Sequence, residues 1–283
     1  MKIALVNCAV LPEPDLDEQP LLDALRLRGH EATTAAWDDP AVDWTAFDCC
    51  PIRATWNYAH HTEAFDAWLA RTATQTVLIN PPETLRWNIH KGYLAELQAR
   101  GIPLIPTALF EKGAACDIRA ESDKRAWSRI VIKPTISAGS FGTRAFDLGT
   151  ESAEAQAFYD EMTRSRGMMI QRFIPSVETV GETSIVMIDG RLTHAVEKRP
   201  RFDDQEERVF LREPVTEEMR SLADRVLDAA GKEHLYARVD VIPDDDGSLM
   251  LSELEMLEPS LFFSLYPPAV DAFVRAIEAY SPS

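Results

Sequence analysis

Residues 236–263 read YARVDVIPDDDGSLMLSELEMLEPSLFF. Two largely apolar runs, 236–242 and 249–256, flank an aspartate-rich turn at 244–247, which predicts an antiparallel hairpin. If the strands pair, Asp240 can lie opposite Glu253 and Glu255. Those two glutamates are two residues apart, so both point to one face of their strand. Three carboxylates on one sheet face repel each other unless a hard cation neutralises them, and Mg2+ is usually held by one or two carboxylates plus phosphate oxygens. The alternative is a solvated acidic strand, against which stand the apolar neighbours Leu251, Leu254, Met256 and Leu257. Arg238 shares a strand face with Asp240. A buried arginine is unfavourable unless paired, so it is expected to aim at an anion or at the carboxylates.

Working outward, residues 128–135 (SRIVIKPT) form an apolar run ending in Lys133 and Pro134, followed by a turn rich in small residues. Ser137, Gly139, Ser140 and Gly142 suit a loop whose backbone N–H groups approach phosphate oxygens. It is not a Walker A motif, because no Gly-Lys-Ser/Thr closes it and no helix opens from it; a plain hairpin turn remains the alternative. Lys198, Arg199 and Arg201 form a basic cluster, with Asp203, Asp204, Glu206 and Glu207 close enough in sequence to balance it as a surface loop.

The first third alternates strand and helix: 2–9, 31–37, 48–55 and 77–80 as strands, with helices beginning at Gln19 and spanning 62–71. This is the rhythm of a small open α/β domain. One amphipathic helix is expected over 87–101, carrying Lys91. Strands then dominate at 128–135, 142–148, 167–174, 182–189 and 191–198, with a helix at 151–165 and a hairpin turn at Asp189–Gly190. A helix around 219–230, the quoted hairpin and a C-terminal helix complete an α/β plus α+β chain.

Composition excludes several function classes. Of 283 residues, 29 are Lys or Arg and 46 are Asp or Glu, a formal charge of −17. That field repels nucleic acid and disfavours a polybasic membrane anchor. No apolar stretch approaches the roughly 20 residues of a transmembrane helix, and the N-terminus reads as a first strand rather than a signal peptide. Four cysteines are too few for a disulfide scaffold, so a reduced cytoplasm is expected. Cys49–Cys50 beside His60–His61 is the nearest approach to a zinc set, without usual ligand spacing.

Taken together, Lys91, the Val-Ile-Lys-Pro run with its Gly/Ser loop, residues 169–174 (MIQRFI), Gly-Glu-Thr-Ser at 181–184, Arg-Val-Asp at 238–240 and Glu-Leu-Glu at 253–255 occur in an order that resembles the ATP-grasp superfamily over about 86–263. Residues 53–58 (RATWNY), 87–94 (WNIHKGYL) and 253–263 resemble its glutathione-synthetase-like branch. Within that branch the chain is similar to the cyclo-ligases that close a ureido amino acid, such as O-ureido-D-serine in D-cycloserine biosynthesis.

The resemblance implies an ATP-grasp fold with an N-terminal open α/β domain (1–88), a central helix and lid subdomain (89–174) and a C-terminal antiparallel-sheet subdomain with the metal site (175–283). It implies that Lys91 and Lys133 contact ATP phosphates. Ser137, Gly139, Ser140 and Gly142 would form the lid, Gln171, Phe173 and Ile174 an adenine-binding hinge, and Glu182 would hold the ribose. Lys198 would approach the γ-phosphate, Asp240, Glu253 and Glu255 would bind two Mg2+ ions (with Mn2+ as a substitute), and Arg238 would steady an acylphosphate and its oxyanion. The family often has Asn at the Glu255 position. Arg53, Thr55, Asn57 and Tyr58 follow a strand in the N-terminal domain, where open α/β folds bind ligands, and become substrate candidates; for Tyr58 and Trp56 the competing reading is packing between domains. The implied activity is ATP-dependent carboxylate–amine ligation on a small amino-acid-like substrate, by a cytoplasmic monomer or homodimer without nucleic-acid or membrane partners. Intermolecular amino-acid or peptide ligation and a non-catalytic nucleotide-binding regulator are the competing readings.

Overall fold

The computed structural model describes residues 1–139, 141–199 and 208–280. The chain opens with β1 (Lys2–Asn7), α1 (Glu18–Leu27), β2 (Glu31–Ala36), β3 (Cys49–Ala54), α2 (Thr62–Thr72) and β4 (Val77–Ile79). These strands form one parallel sheet in the order β2-β1-β3-β4. β1 and β3 are buried almost throughout, as parallel strands covered on both faces must be. The order reverses between β1 and β3, the switch point at which such sheets bind ligands.

α3 (Pro82–Ile89) and α4 (Tyr93–Ala99) follow. The single helix expected over 87–101 is therefore two. His90 adopts extended backbone angles, φ −103 and ψ 119, and the Lys91 N–H donates to Thr135 O at 2.8 Å instead of continuing a helix. Lys91 thus sits in the break between helices.

Next come β5 (Thr107–Phe110), α5 (Ile118–Asp123), β6 (Arg129–Pro134), β7 (Arg144–Asp147), α6 (Ser152–Thr163) and β8 (Met168–Arg172). They form an antiparallel sheet, β5-β8-β6-β7, backed by α5 and α6 through Ile118, Tyr159, Phe146 and Trp127. Neither β5 nor α5 is legible from periodicity: each is shorter than seven residues.

The last part contains α7 (Ser176–Thr179), β9 (Glu182–Ile188), β10 (Arg191–Arg199), β11 (Arg208–Leu211), α8 (Glu217–Ala230), β12 (Tyr236–Pro243), β13 (Leu249–Glu255) and α9 (Pro268–Ala279). Its strands pair antiparallel as β11-β10-β9-β12-β13. The Thr216 side chain caps the Met219 N–H of α8 at 3.2 Å, and Gly231 closes that helix at φ +59, the usual left-handed helix stop.

The two faces of β12 explain where the site lies. Ala237, Val239 and Val241 enter one apolar cluster with Leu222, Ala223 and Val226 of α8 and with Leu251, Leu254 and Met256. The alternate residues, including Arg238 and Asp240, face the other way. Tyr236, also on that second face, packs with Phe273 of α9 and with Leu21 and Leu25 of α1, so the N-terminal domain and the C-terminal sheet share a core.

Candidate active site

The predicted hairpin forms, with Asp240 opposite Glu253 and Arg238 opposite Glu255. A bulge lies where the pairing steps from Asp240 to Val241. It leaves Ser252 as an extra residue, and the Ser252 Oγ reaches Glu182 Oε2 at 2.8 Å. Bulges re-aim side chains in this way, and no alternation pattern foretells one.

The site is a network of buried opposite charges. Arg238 donates from Nε to Asp240 Oδ1 at 2.9 Å and from Nη2 to Asp240 Oδ2 at 2.8 Å. It also pairs with Glu255. Lys198 Nζ lies 2.9 Å from Asp240 Oδ2 and 2.6 Å from Glu182 Oε1. Lys91 Nζ lies 2.7 Å from Glu253 Oε1, and Lys133 Nζ lies 3.8 Å from Glu253 Oε2. Cations from the helix break, the lid-side sheet and the C-terminal sheet therefore converge on carboxylates of β9, β12 and β13.

Acids and bases do not balance. Burial raises the Asp240 carboxyl, but Arg238 and Lys198 outweigh it and hold it well below the usual range. Burial acts the same way on Glu253, where Lys91 and Lys133 prevail and lower it. For Glu255, burial together with the Asp240 and Glu253 charges overcomes Arg238 and pushes the carboxyl up to about 7. Glu258, beyond the hairpin, is pushed up to about 8 by burial and the Glu255 charge. The site thus lacks positive charge for its full set of carboxylates.

This donor set fits a divalent cation in chemistry, since the oxygens are hard and in charge excess. Among the described residues, no three His, Cys, Asp or Glu side chains already stand together as a metal cage, because Arg238, Lys198 and Lys91 occupy the carboxylate oxygens. Metal binding would require these cations to turn outward, toward phosphate.

The loop expected to form a lid follows β6. Ser137 is buried and its carbonyl accepts from Lys91 Nζ at 3.1 Å. Gly139 and Gly142 have φ +56 and +67, conformations that favour glycine. Ser140 lies outside the described residues, as do Arg201, Asp203, Asp204, Glu206 and Glu207. Phe141 meets the His60 ring edge-on at 4.5 Å, joining the loop to the N-terminal domain. Gln171 ends its side chain on Thr107 Oγ1 at 3.0 Å. The Phe173 N–H donates to Arg129 O at 3.0 Å, and Ile174 O accepts from Val177 N at 3.1 Å.

The N-terminal candidates divide. Arg53 is 3% exposed; its Nη2 donates to Pro259 O at 2.9 Å and lies 3.4 Å from Asp17 Oδ2. Its Nε and Nη1, and the Thr55 Oγ1, are buried without partners. Tyr58 is buried, and burial with the Glu258, Glu253 and Glu255 charges raises its hydroxyl well above the ordinary phenol value. Asn57 is not brought to this group: its amide is engaged by Trp37 Nε1 and Asp38 Oδ2, each at 2.7 Å. The zinc idea finds no assembly, because Cys49 and Cys50 are buried while His60 and His61 are exposed. Both thiols are pushed up by burial, to about 11 and about 12, which makes them unreactive.

Sequence reasoning missed Ser252 and Glu258. Glu258 carries a readable signal, a lone carboxylate in the apolar run 256–263. It also missed two buried asparagines that fix the frame. Asn80 bonds the backbone of Leu235, Tyr236 and Met256, and Asn88 bonds that of Leu254 and Met256, all within 3.3 Å.

Comparisons with known proteins accord with this architecture. Residues 3–80 match the family model "D-cycloserine synthetase DcsG, N-terminal domain", and residues 105–243 match "Prokaryotic glutathione synthetase, ATP-grasp domain". The chain is 30% identical to cycloserine biosynthesis protein DcsG of Streptomyces lavendulae over 296 aligned positions, 97% of each chain. The crystal structure of D-cycloserine synthetase DcsG superposes with a TM-score of 0.90 at 29% identity, covering 98% of both chains. D-alanine–D-alanine ligase from Bacillus anthracis, complexed with ATP, shares the fold at a TM-score of 0.71 and 15% identity over 98% of this chain and 95% of its own.

Proposed function

The chain belongs to the DcsG family of ATP-grasp enzymes and is an ATP-dependent amide-forming ligase; from that premise we propose that it closes a ureido amino acid, such as O-ureido-D-serine, into a ring. The observation that carries this reading is that the similarity includes the N-terminal domain, 3–80, as well as the shared ATP-grasp domain. The N-terminal domain supplies the strand ends that face the substrate.

In this reading the substrate carboxylate attacks the γ-phosphorus of ATP and ADP leaves. A ureido nitrogen of the same molecule then attacks the acyl carbon, loses its proton and displaces phosphate. Phosphoryl transfer needs charge neutralisation more than covalent help. Lys91, Lys133 and Lys198 give up carboxylates for phosphate oxygens, and the lid residues Ser137, Gly139, Ser140 and Gly142 cover them and exclude water. Asp240, Glu253 and Glu255 would hold two Mg2+ ions, with Mn2+ as a substitute; bound there, the metal would neutralise the phosphate charge. Glu182 takes the ribose. Gln171 lines the adenine side, and base contacts fall to the Phe173 carbonyl and Ile174 N–H. Arg238 steadies the acylphosphate and the oxyanion formed from it. Arg53, with two unpartnered nitrogens, Thr55 and Tyr58 face the substrate side, and Asn57 braces the loop that carries them. The division at 1–88, 89–174 and 175–283 follows the three sheets. A cytoplasmic monomer or homodimer completes the reading; its four cysteines are free, and no helix among the described residues is long and apolar enough to cross a membrane.

The test is a screen of ureido amino acids, amino acids and dipeptides for ADP release, with the product weighed. A product lighter than its single substrate shows ring closure; a joined mass shows ligation and sinks the cyclisation reading. A non-hydrolysable ATP analogue should bind in a Mg2+-dependent way, more weakly in Lys133→Ala.

A further inference from the structure

Glu258 is a buried carboxylate that the phosphoryl-transfer chemistry leaves unused. It is 7% exposed, and no side chain of the described residues donates a hydrogen bond to it or forms an ion pair with it. Its backbone is held in place from several sides. The carbonyls of Glu258, Pro259 and Ser260 accept from Trp56 Nε1 at 3.4 Å, Arg53 Nη2 at 2.9 Å and Arg238 Nη1 at 3.3 Å. The next three N–H groups, of Leu261, Phe262 and Phe263, donate to the Asp17 carboxylate at 2.6, 3.1 and 2.7 Å. The main chain of the strap is fixed at every residue, which fixes the point from which the Glu258 side chain departs.

Its strap runs between Arg238 of the charged cluster and Arg53 and Trp56 of the N-terminal domain. The charges acting on Glu258 are those of Glu255, Lys91 and Glu253, and Glu255 is the partner of Arg238. Lys91 is committed to Glu253 and to the Ser137 carbonyl. A charge on Glu258 would also act on the buried hydroxyls of Tyr58 and Tyr236, raising both. Trp56 and Arg53, which hold this strap, come from the end of β3, next to the switch point of the N-terminal sheet. Burial and the Glu255 charge push this carboxyl up to about 8, so it is neutral while no cation pairs with it, and a cation brought by the substrate would ionise it.

We propose that Glu258 is the specificity residue for the α-ammonium group of the amino-acid substrate, which it takes as a charge-assisted hydrogen-bond acceptor while the substrate carboxylate lies at Arg238. This rests on the ligase reading above and adds the group that distinguishes an α-amino acid from a simple carboxylic acid. A role as a further metal ligand is disfavoured by position: Glu258 lies beyond β13 on a strap fixed to the N-terminal domain, off the sheet face that carries Asp240 and Glu253.

The experiment compares O-ureido-D-serine with its des-amino analogue, 3-(ureidooxy)propanoate, in wild type, Glu258→Gln and Glu258→Asp, reading ADP release at saturating Mg-ATP. Wild type should favour the amino compound in kcat/KM by on the order of 100-fold, the range expected for losing a partner of a buried charged group. Glu258→Gln should collapse that preference to near unity, mainly through KM for the amino acid, with KM for Mg-ATP unchanged. Glu258→Asp, which keeps the charge, should recover part of it. Wild type that uses both acids alike overturns the assignment, and that arm needs no variant to fold. So does a Glu258→Gln enzyme that keeps the preference or changes its Mg2+ requirement instead. The two acids differ by the amino group alone, so the comparison stands whether product mass shows ring closure or ligation.

Discussion

Glu253 touches two of the site's cations, Lys91 and Lys133, and stands opposite Asp240. Glu253→Gln keeps its size and removes its charge. Mg2+-dependent turnover should fall by roughly 1000-fold, the scale of losing a principal electrostatic contact in a transition state. The melting temperature should fall as well, because buried Lys91 loses its carboxylate partner, so turnover is compared well below the variant's own transition. Full activity in this variant would sink the metal assignment. At this scale the charged cluster was legible in sequence: Arg238, Asp240, Glu253 and Glu255 lie two residues apart in pairs, and alternation sends each pair to one face. Ser252 was not, because a bulge breaks alternation, and Glu258 needs the strap to bring it inward.

At the scale of elements, two short devices position the cluster. Gly181 precedes β9 at φ +84, and a Cβ there would come within 2.6 Å of the Lys198 carbonyl. The close approach sets Lys198 opposite Glu182. Gly181→Ala must push β10 away and also adopt an unfavourable φ, a loss of roughly 2–3 kcal/mol. Chemical denaturation should show that loss, with reduced turnover because Lys198 leaves Glu182 and Asp240. The Asp17 carboxylate collects three backbone N–H groups of the 261–263 segment. Asp17→Ala leaves them unpaired beside buried Arg53 and should cost roughly 3–5 kcal/mol, measurable as a lower urea midpoint. The hairpin and helix α8 were readable from periodicity and caps. The helix break at Lys91 was not, since local pattern favours one helix and a tertiary bond to Thr135 interrupts it.

At the scale of the molecule, the N-terminal domain, C-terminal sheet and α9 form one structure through Tyr236, Phe273 and the leucines of α1. His194 is part of that joint. Its Nε2 lies 3.0 Å from Leu261 O, and its ring stacks on Tyr266. Burial lowers its pKa to about 4, against about 6.5 in an unfolded chain. Between those values the unfolded state binds the extra proton, so this contribution is complete above pH 6.5 and is lost as pH falls toward 4. The 2.5-unit gap corresponds to about 3 kcal/mol. Urea midpoints of wild type and His194→Gln, taken from pH 7 to pH 4, should converge as the pH drops; parallel curves would refute the assignment to His194.

Sequence pattern alone settles the kinds of layers and which charged residues share the hairpin face. Apolar runs of strand length, helical periodicity and like charges at spacing two are local, and local pattern survives folding. Tertiary structure alone decided which cations meet which carboxylates. It also decided that Lys91 leaves its helix, that Asn57 ties its loop to Trp37 and Asp38, and that Glu258 is buried with no cation among the described residues paired to it. Those outcomes depend on contacts between residues far apart in the chain, where burial makes every unpaired charge and every unmade hydrogen bond unfavourable.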